Sequence, residues 1–140
     1  MTDVHNNSTR SYNMSRIKAK DTKPEMLVRK YLHAEGLRYR LHNTKLPGKP
    51  DLTFSKYHMV IFVNGCFWHG HQECKYFVLP KTRTDWWKEK IEETKIRDQK
   101  TLDDLKVLGW NSLTIWECEL KPMKRNTTLN NILFTLTKRS

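Results

Sequence analysis

Between Thr22 and Gly36 the apolar side chains recur at helical spacing: Leu27, Tyr31 and Ala34, with Val28 and Leu32, form one stripe. Thr22-Lys23-Pro24-Glu25 reads as a capping box with proline in the first turn, and Gly36 as the stop. Leu37 to Leu41 then alternates apolar with polar, the pattern of a half-buried strand. Leu46-Pro47-Gly48-Lys49-Pro50 is a turn, and Asp51-Leu52-Thr53-Phe54 opens a second strand at the sheet's edge. Met59 to Asn64 is a nearly unbroken apolar run, as expected of a central strand. A long helix is predicted from Thr84, as its cap, to Leu108, with Gly109 as its stop. Trp110 to Trp116 alternates again, with Leu113 and Ile115 on one face and the two tryptophans on the other. Leu129, Ile132, Leu133 and Leu136 fit a short amphipathic helix. This order of elements predicts an α/β fold, a mixed central sheet flanked by helices.

Length and charge sharpen that picture. The chain has 140 residues, one domain's worth, which we divide into a polar, basic N-terminal arm over 1–20 and a folded domain over 21–140. Hydrophobic residues make up 37% and aromatic ones 11%, too many for a disordered basic tail. No apolar run approaches the roughly 18 residues of a membrane span, and the polar start, Met1 to Arg10, is unlike a signal peptide. The net charge is +11, of which +7 falls in residues 1–50. A surplus of that size is the electrostatic footprint of a polyanion-binding protein, nucleic acid first of all.

Chemistry concentrates in Cys66-Phe67-Trp68-His69-Gly70-His71-Gln72-Glu73-Cys74, directly after the central strand. Cys66, His71 and Cys74 have metal-type spacing, and Cys118 adds a fourth soft ligand if the Trp110–Trp116 strand lies beside Met59–Asn64. Three thiolates and an imidazole make a closed tetrahedral set, the pattern of structural zinc. The spacing alone does not decide which of His69 and His71 ligates. If His71 does, His69 is free to act as a general base. It would then need an orienting carboxylate, and Asp98 sits among Ile91, Lys95, Leu102 and Leu105 on one helix face. An arginine or a helix cap is the plainer partner for that carboxylate. Asp51 follows a turn and could bind a hard cation such as Mg²⁺, with Glu25 adding a water-mediated contact, although turn chemistry explains Pro50-Asp51 equally well. Phe67 and Trp68 either pack on the core or wedge between base pairs. Trp86 and Trp87 are adjacent in the helix and cannot both face the core.

Taken together, Pro47-Gly48-Lys49-Pro50-Asp51, Val60-Ile61-Phe62-Val63-Asn64-Gly65-Cys66-Phe67-Trp68-His69, Arg83-Thr84-Asp85-Trp86-Trp87, Arg97-Asp98 and Trp116-Glu117-Cys118 resemble the very-short-patch repair (Vsr) endonucleases. The resemblance runs from about Arg10 to Leu120. It implies a restriction-endonuclease-like fold and Mg²⁺-dependent nicking of one strand of double-stranded DNA, 5′ to the T of a T:G mismatch left by 5-methylcytosine deamination. It also implies a functional association with a cytosine-5 DNA methyltransferase and work on the bacterial nucleoid in the cytoplasm; a single-strand nick requires only a monomer. By the same resemblance Asp51 and the backbone carbonyl of Val63 hold the Mg²⁺; some relatives carry Thr-His where this chain has Val63-Asn64, so only the carbonyl is carried over. His69 and Asp98 match the base and its partner, and Glu25 the acid on the first helix. Cys66, His71, Cys74 and Cys118 match the structural zinc site. Phe67, Trp68 and Trp87 match aromatics that enter the duplex, and Asn64, Lys49 and Arg16 are expected at the DNA surface. The second carboxylate and the lysine usual in restriction-like nucleases are missing, which fits a histidine taking over the lysine's work.

Overall fold

The computed structural model describes residues 21–138, so the expected N-terminal arm and Arg16 lie outside the described residues. Among the described residues three helices and four strands follow in the expected order: α1 (Lys23–Ala34), β1 (Arg40–Leu41), β2 (Leu52–Phe54), β3 (Met59–Asn64), α2 (Thr84–Val107), β4 (Asn111–Trp116) and α3 (Arg125–Lys138). Short 3-10 turns lie at Ser55–Tyr57 and Glu117–Leu120.

Local chemistry accounts for most of the helix ends. Thr22 caps α1, its hydroxyl accepting from the amide of Glu25. The return bond of the box is displaced by one residue, because the Glu25 carboxylate accepts from the amide of Asp21. At the far end the amides of Gly36 and Leu37 donate to the carbonyls of His33 and Leu32, a Schellman closure. The end of α2 closes the same way, through Gly109 and Trp110 onto Lys106 and Leu105. The start of α2 differs from expectation. Arg83, not Thr84, is the cap residue, in a left-handed conformation with no side-chain cap bond. The Thr84 hydroxyl instead donates to the carbonyl of Pro80, which ties it to the preceding loop.

The strands form one sheet in the order β1-β2-β3-β4. The first two pairings are antiparallel, and β3 pairs with β4 in parallel, Met59 opposite Asn111 through Asn64 opposite Trp116. Two sequence expectations change here. The Leu37–Leu41 strand shrinks to Arg40–Leu41, because its partner β2 is only three residues long and His42 turns the chain away at a φ of 46°. Asp51 lies not at the sheet's edge but at the mouth of an interior strand, since β1 covers the outer side of β2.

One face of the sheet buries Leu52, Phe54, Met59, Ile61 and Ile115 against Val28 and Leu32 of α1 and Leu129, Ile132 and Leu136 of α3. The buried face of α1 is therefore the line of Glu25, Val28 and Leu32; Leu27 and Tyr31 only flank it, and Ala34 is exposed, contrary to the expected stripe. Helix α2 crosses the opposite face. Gly48 fits between Thr101 of α2 and Phe62 of β3, where even a Cβ atom would collide with Thr101. Because side chains alternate across a strand, Phe62 faces α2 while Ile61 faces α1 and α3. The parallel β3–β4 pair thus delivers the residues after both strand ends to one end of the sheet.

Candidate active site

Four groups of side chains meet at that end. The first is Asp51, which is 8% exposed. Its Oδ2 accepts from the amide of Val63 at 2.7 Å, which pins the carboxylate to β3. Burial pushes Asp51 up to about 6. The Val63 amide opposes that shift, Glu25 adds to it, and the imidazoles of His42 and His69 oppose it. No arginine or lysine pairs with Asp51 among the described residues, so a buried hard-oxygen donor stands without a protein cation. That arrangement fits a divalent ion.

His69 and Asp98 form the second group. Nδ1 of His69 lies 2.6 Å from Oδ2 of Asp98, so the loop after β3 is joined to the middle of α2. Both side chains are partly exposed, Asp98 at 37%. An Nδ1–H donated to the carboxylate leaves Nε2 as the acceptor, the arrangement of an oriented general base. Among the described residues neither an arginine nor a helix cap pairs with Asp98; its partner is His69. The loop can approach α2 closely because Gly70 has no side chain: a Cβ there would stand 2.6 Å from both Ile91 and Lys95.

Glu25 anchors the third group. It is 1% exposed, and its Oε2 lies 2.7 Å from Nε2 of His42 and 3.4 Å from Arg29. The backbone amide of His42 donates to the carbonyl of Asp51, so Glu25 is joined through His42 to the Asp51 strand. Sequence reasoning missed His42 and Arg29. Arg29 stands one helical turn beyond Glu25, which was a signal available to it. His42 had none, because its contact depends on the turn at φ 46°.

The fourth group is Cys66, His71, Cys74 and Cys118, whose ligand atoms all lie within 4.8 Å of one another. Nδ1 of His71 is 3.4 Å from Sγ of Cys118, and the amide of Cys118 approaches Sγ of Cys66 at 3.4 Å. So His71, not His69, joins the cysteines. Burial pushes the Cys66 thiol up to about 12 and raises Cys118 as well, whereas at Cys74 the Tyr76 amide and neighbouring thiols outweigh desolvation and lower it. Only a bound cation lets three such thiols ionise side by side, and the soft, four-membered donor set fits a tetrahedral metal. The ring of Trp116 stacks on His71 at 4.1 Å and 4°, a contact that the sequence did not signal.

Phe67, Trp68 and Trp87 form one half-buried aromatic group beside these sites, with ring separations of 5.1, 5.4 and 5.8 Å. Neither tryptophan of the adjacent pair enters the core: Trp87 is half-buried and Trp86 exposed. Asn64 ends β3 opposite Trp116, and Lys49 is exposed in the turn before Asp51.

With this geometry in place, comparison with known proteins is direct. The model of the DNA mismatch endonuclease Vsr family matches residues 2–75. The chain is 42% identical to the DNA mismatch endonuclease Vsr of Escherichia coli over 91% of its own length and 81% of the relative's. It is 47% identical to the type II nicking enzyme V.NmeAIP of Neisseria meningitidis, over 86% of each chain. It is 44% identical to the type II nicking enzyme V.XorIIP of Xanthomonas oryzae, over 95% of this chain and 98% of that one. The chain therefore belongs to the Vsr family of DNA mismatch endonucleases, and by that membership it is an endodeoxyribonuclease.

Proposed function

We propose that this protein is a Mg²⁺-dependent nicking endonuclease that cuts one strand of duplex DNA 5′ to the T of a T:G mismatch. The mismatch would arise by deamination of 5-methylcytosine, and the nick starts very short patch repair. The observation that carries the reading is the His69–Asp98 pair at 2.6 Å, on the same end of the sheet as the buried Asp51 held by Val63. The relatives' own names supply mismatch cleavage in one case and nicking in the others.

In this reading Nε2 of His69 takes the proton of the attacking water, while Asp98 fixes the tautomer and bears part of the resulting charge. Asp51 and the Val63 carbonyl hold the Mg²⁺, which when bound supplies stabilisation of charge on the scissile phosphate. Glu25 is oriented toward that region by His42 and Asp21. Cys66, His71, Cys74 and Cys118 hold a zinc ion that fixes the loop carrying His69 and takes no part in the reaction. Phe67, Trp68 and Trp87 enter the duplex beside the mismatch, and Asn64, Lys49 and Arg16 contact DNA. The sheet and flanking helices support a restriction-endonuclease-like core. A cytosine-5 methyltransferase creates the sites whose decay this enzyme repairs, and a monomer working on the chromosome in the cytoplasm suffices for a single nick.

The test is a strand-labelled T:G duplex with and without Mg²⁺, cut by wild type, Asp51→Ala and His69→Ala. Mismatch binding that survives in Asp51→Ala while nicking is lost supports the assignment. Wild-type nicking by His69→Ala rejects it.

A further inference from the structure

The aromatic group does not end at Trp87. Trp86 packs edge-on against it at 4.9 Å, and Phe77 extends the other side through Phe67 at 6.2 Å. Trp86 is the exposed end of this row, 42% accessible. The guanidinium of Arg83 lies 4.6 Å above the Trp86 ring, and Nζ of Lys90 lies 5.8 Å from it. Among the described residues neither cation has a carboxylate partner within ion-pair distance, although Asp85 and Glu89 stand on the same two turns.

A cation stacked on an exposed ring adds little to stability, so stability does not explain the arrangement. Its consequence is positional. The ring holds the Arg83 guanidinium in place, next to the aromatic group, with no carboxylate or hydrogen-bond acceptor on it among the described residues. A planar guanidinium held in that way matches a phosphate group in two-point fashion, at a smaller entropic cost than a mobile side chain.

From this we propose that Arg83, seated on Trp86 with Lys90 alongside, binds a backbone phosphate of the duplex flanking the aromatic wedge. The inference rests on the reading of the protein as a DNA endonuclease. It goes further in assigning a fixed phosphate contact to residues that the catalytic and mismatch-reading groups do not use. The occupant is DNA rather than an acidic protein because the cations continue a row of rings and belong to a chain of net charge +11.

Binding to T:G and fully paired duplexes, measured by fluorescence anisotropy in Mg²⁺-free buffer across a salt series, tests this. Each neutralised phosphate contributes about 0.9 to the slope of log K against log salt. Arg83→Gln should therefore lower that slope by about one and weaken both duplexes by roughly three- to fivefold, with their ratio unchanged. Arg83→Lys should keep the slope, and Trp86→Leu should lose affinity while keeping it. If Arg83→Gln does not fold, single methylphosphonate linkages in the DNA make the test with wild-type protein. One flanking position should then reproduce the loss, and a series with no such position overturns the proposal. An unchanged slope in folded Arg83→Gln, or a changed T:G-to-paired ratio, overturns it as well. A wild-type protein with no preference for T:G would instead reject the mismatch reading and leave the slope comparison valid.

Discussion

Nδ1 of His69 stands 2.6 Å from Oδ2 of Asp98, and that contact ties the loop after β3 to the middle of α2. When Nδ1–H of the neutral ring donates to that carboxylate, Nε2 of His69 is the acceptor nitrogen. His69→Ala should therefore slow nicking by about 10²–10⁴-fold, the usual worth of a positioned general base. Asp98→Asn removes the orienting charge and favours the wrong tautomer of His69, and should cost up to about 10⁴-fold. Single-turnover nicking rates check both, with zinc content measured alongside to show that the loop is intact.

Burial raises Asp51 to about 6 in the folded chain, above the roughly 4 of an unfolded aspartate. Between those values the folded chain keeps a proton that the unfolded chain has released, so this group's contribution to stability falls as pH rises through that window. Asp51→Asn keeps an acceptor for the Val63 amide but carries no charge. In Mg²⁺-free buffer without chelator it should be more stable than wild type above pH ~7, by about 1–3 kcal/mol. The difference should shrink as the pH is lowered toward 4. Thermal melts across that range check the sign, and a pH-independent difference would show that Asp51 does not titrate there. The same variant should lose Mg²⁺-dependent nicking.

The Cys66, His71, Cys74 and Cys118 cluster should hold about one zinc per chain by metal analysis. Cys118→Ser should lower zinc content and melting temperature together, because metal binding contributes to folding directly. A chain that contains no zinc, yet melts and nicks normally, would leave the cluster as packed thiols.

Glu25 is almost fully buried against His42. His42→Ala leaves that carboxylate short of a partner and should destabilise the fold by about 3 kcal/mol, as breaking one side of a buried pair does. Urea denaturation of wild type, His42→Ala and the double variant with Glu25→Gln checks it. The double variant should recover part of the loss.

The features that could be read from the chain were those written in short-range pattern. The glycine-closed ends of α1 and α2, the Met59–Asn64 strand and the spacing that placed Asp98 beside Lys95 and Leu102 all follow from neighbours within a few positions. Cys118 could be joined to the loop cysteines only on the condition that its strand pairs with Met59–Asn64, and the parallel register meets that condition. What escaped depends on backbone turns at positive φ. His42 reaches Glu25, and Arg83 displaces Thr84 as the cap of α2, through left-handed residues that no side-chain periodicity encodes. The flat stacking of Trp116 on His71 escaped for a related reason, since it arises only once the strand ends are brought together.

Strand-specific cleavage of a T:G duplex, compared with fully paired and branched duplexes in the presence of Mg²⁺, tests the central claim most directly. The expected result is one nick, 5′ to the mismatched T, on the T:G duplex alone, absent without Mg²⁺ and lost in His69→Ala. Equal cutting of paired DNA, a preference for branched DNA, or no cutting by the zinc-loaded protein would contradict it.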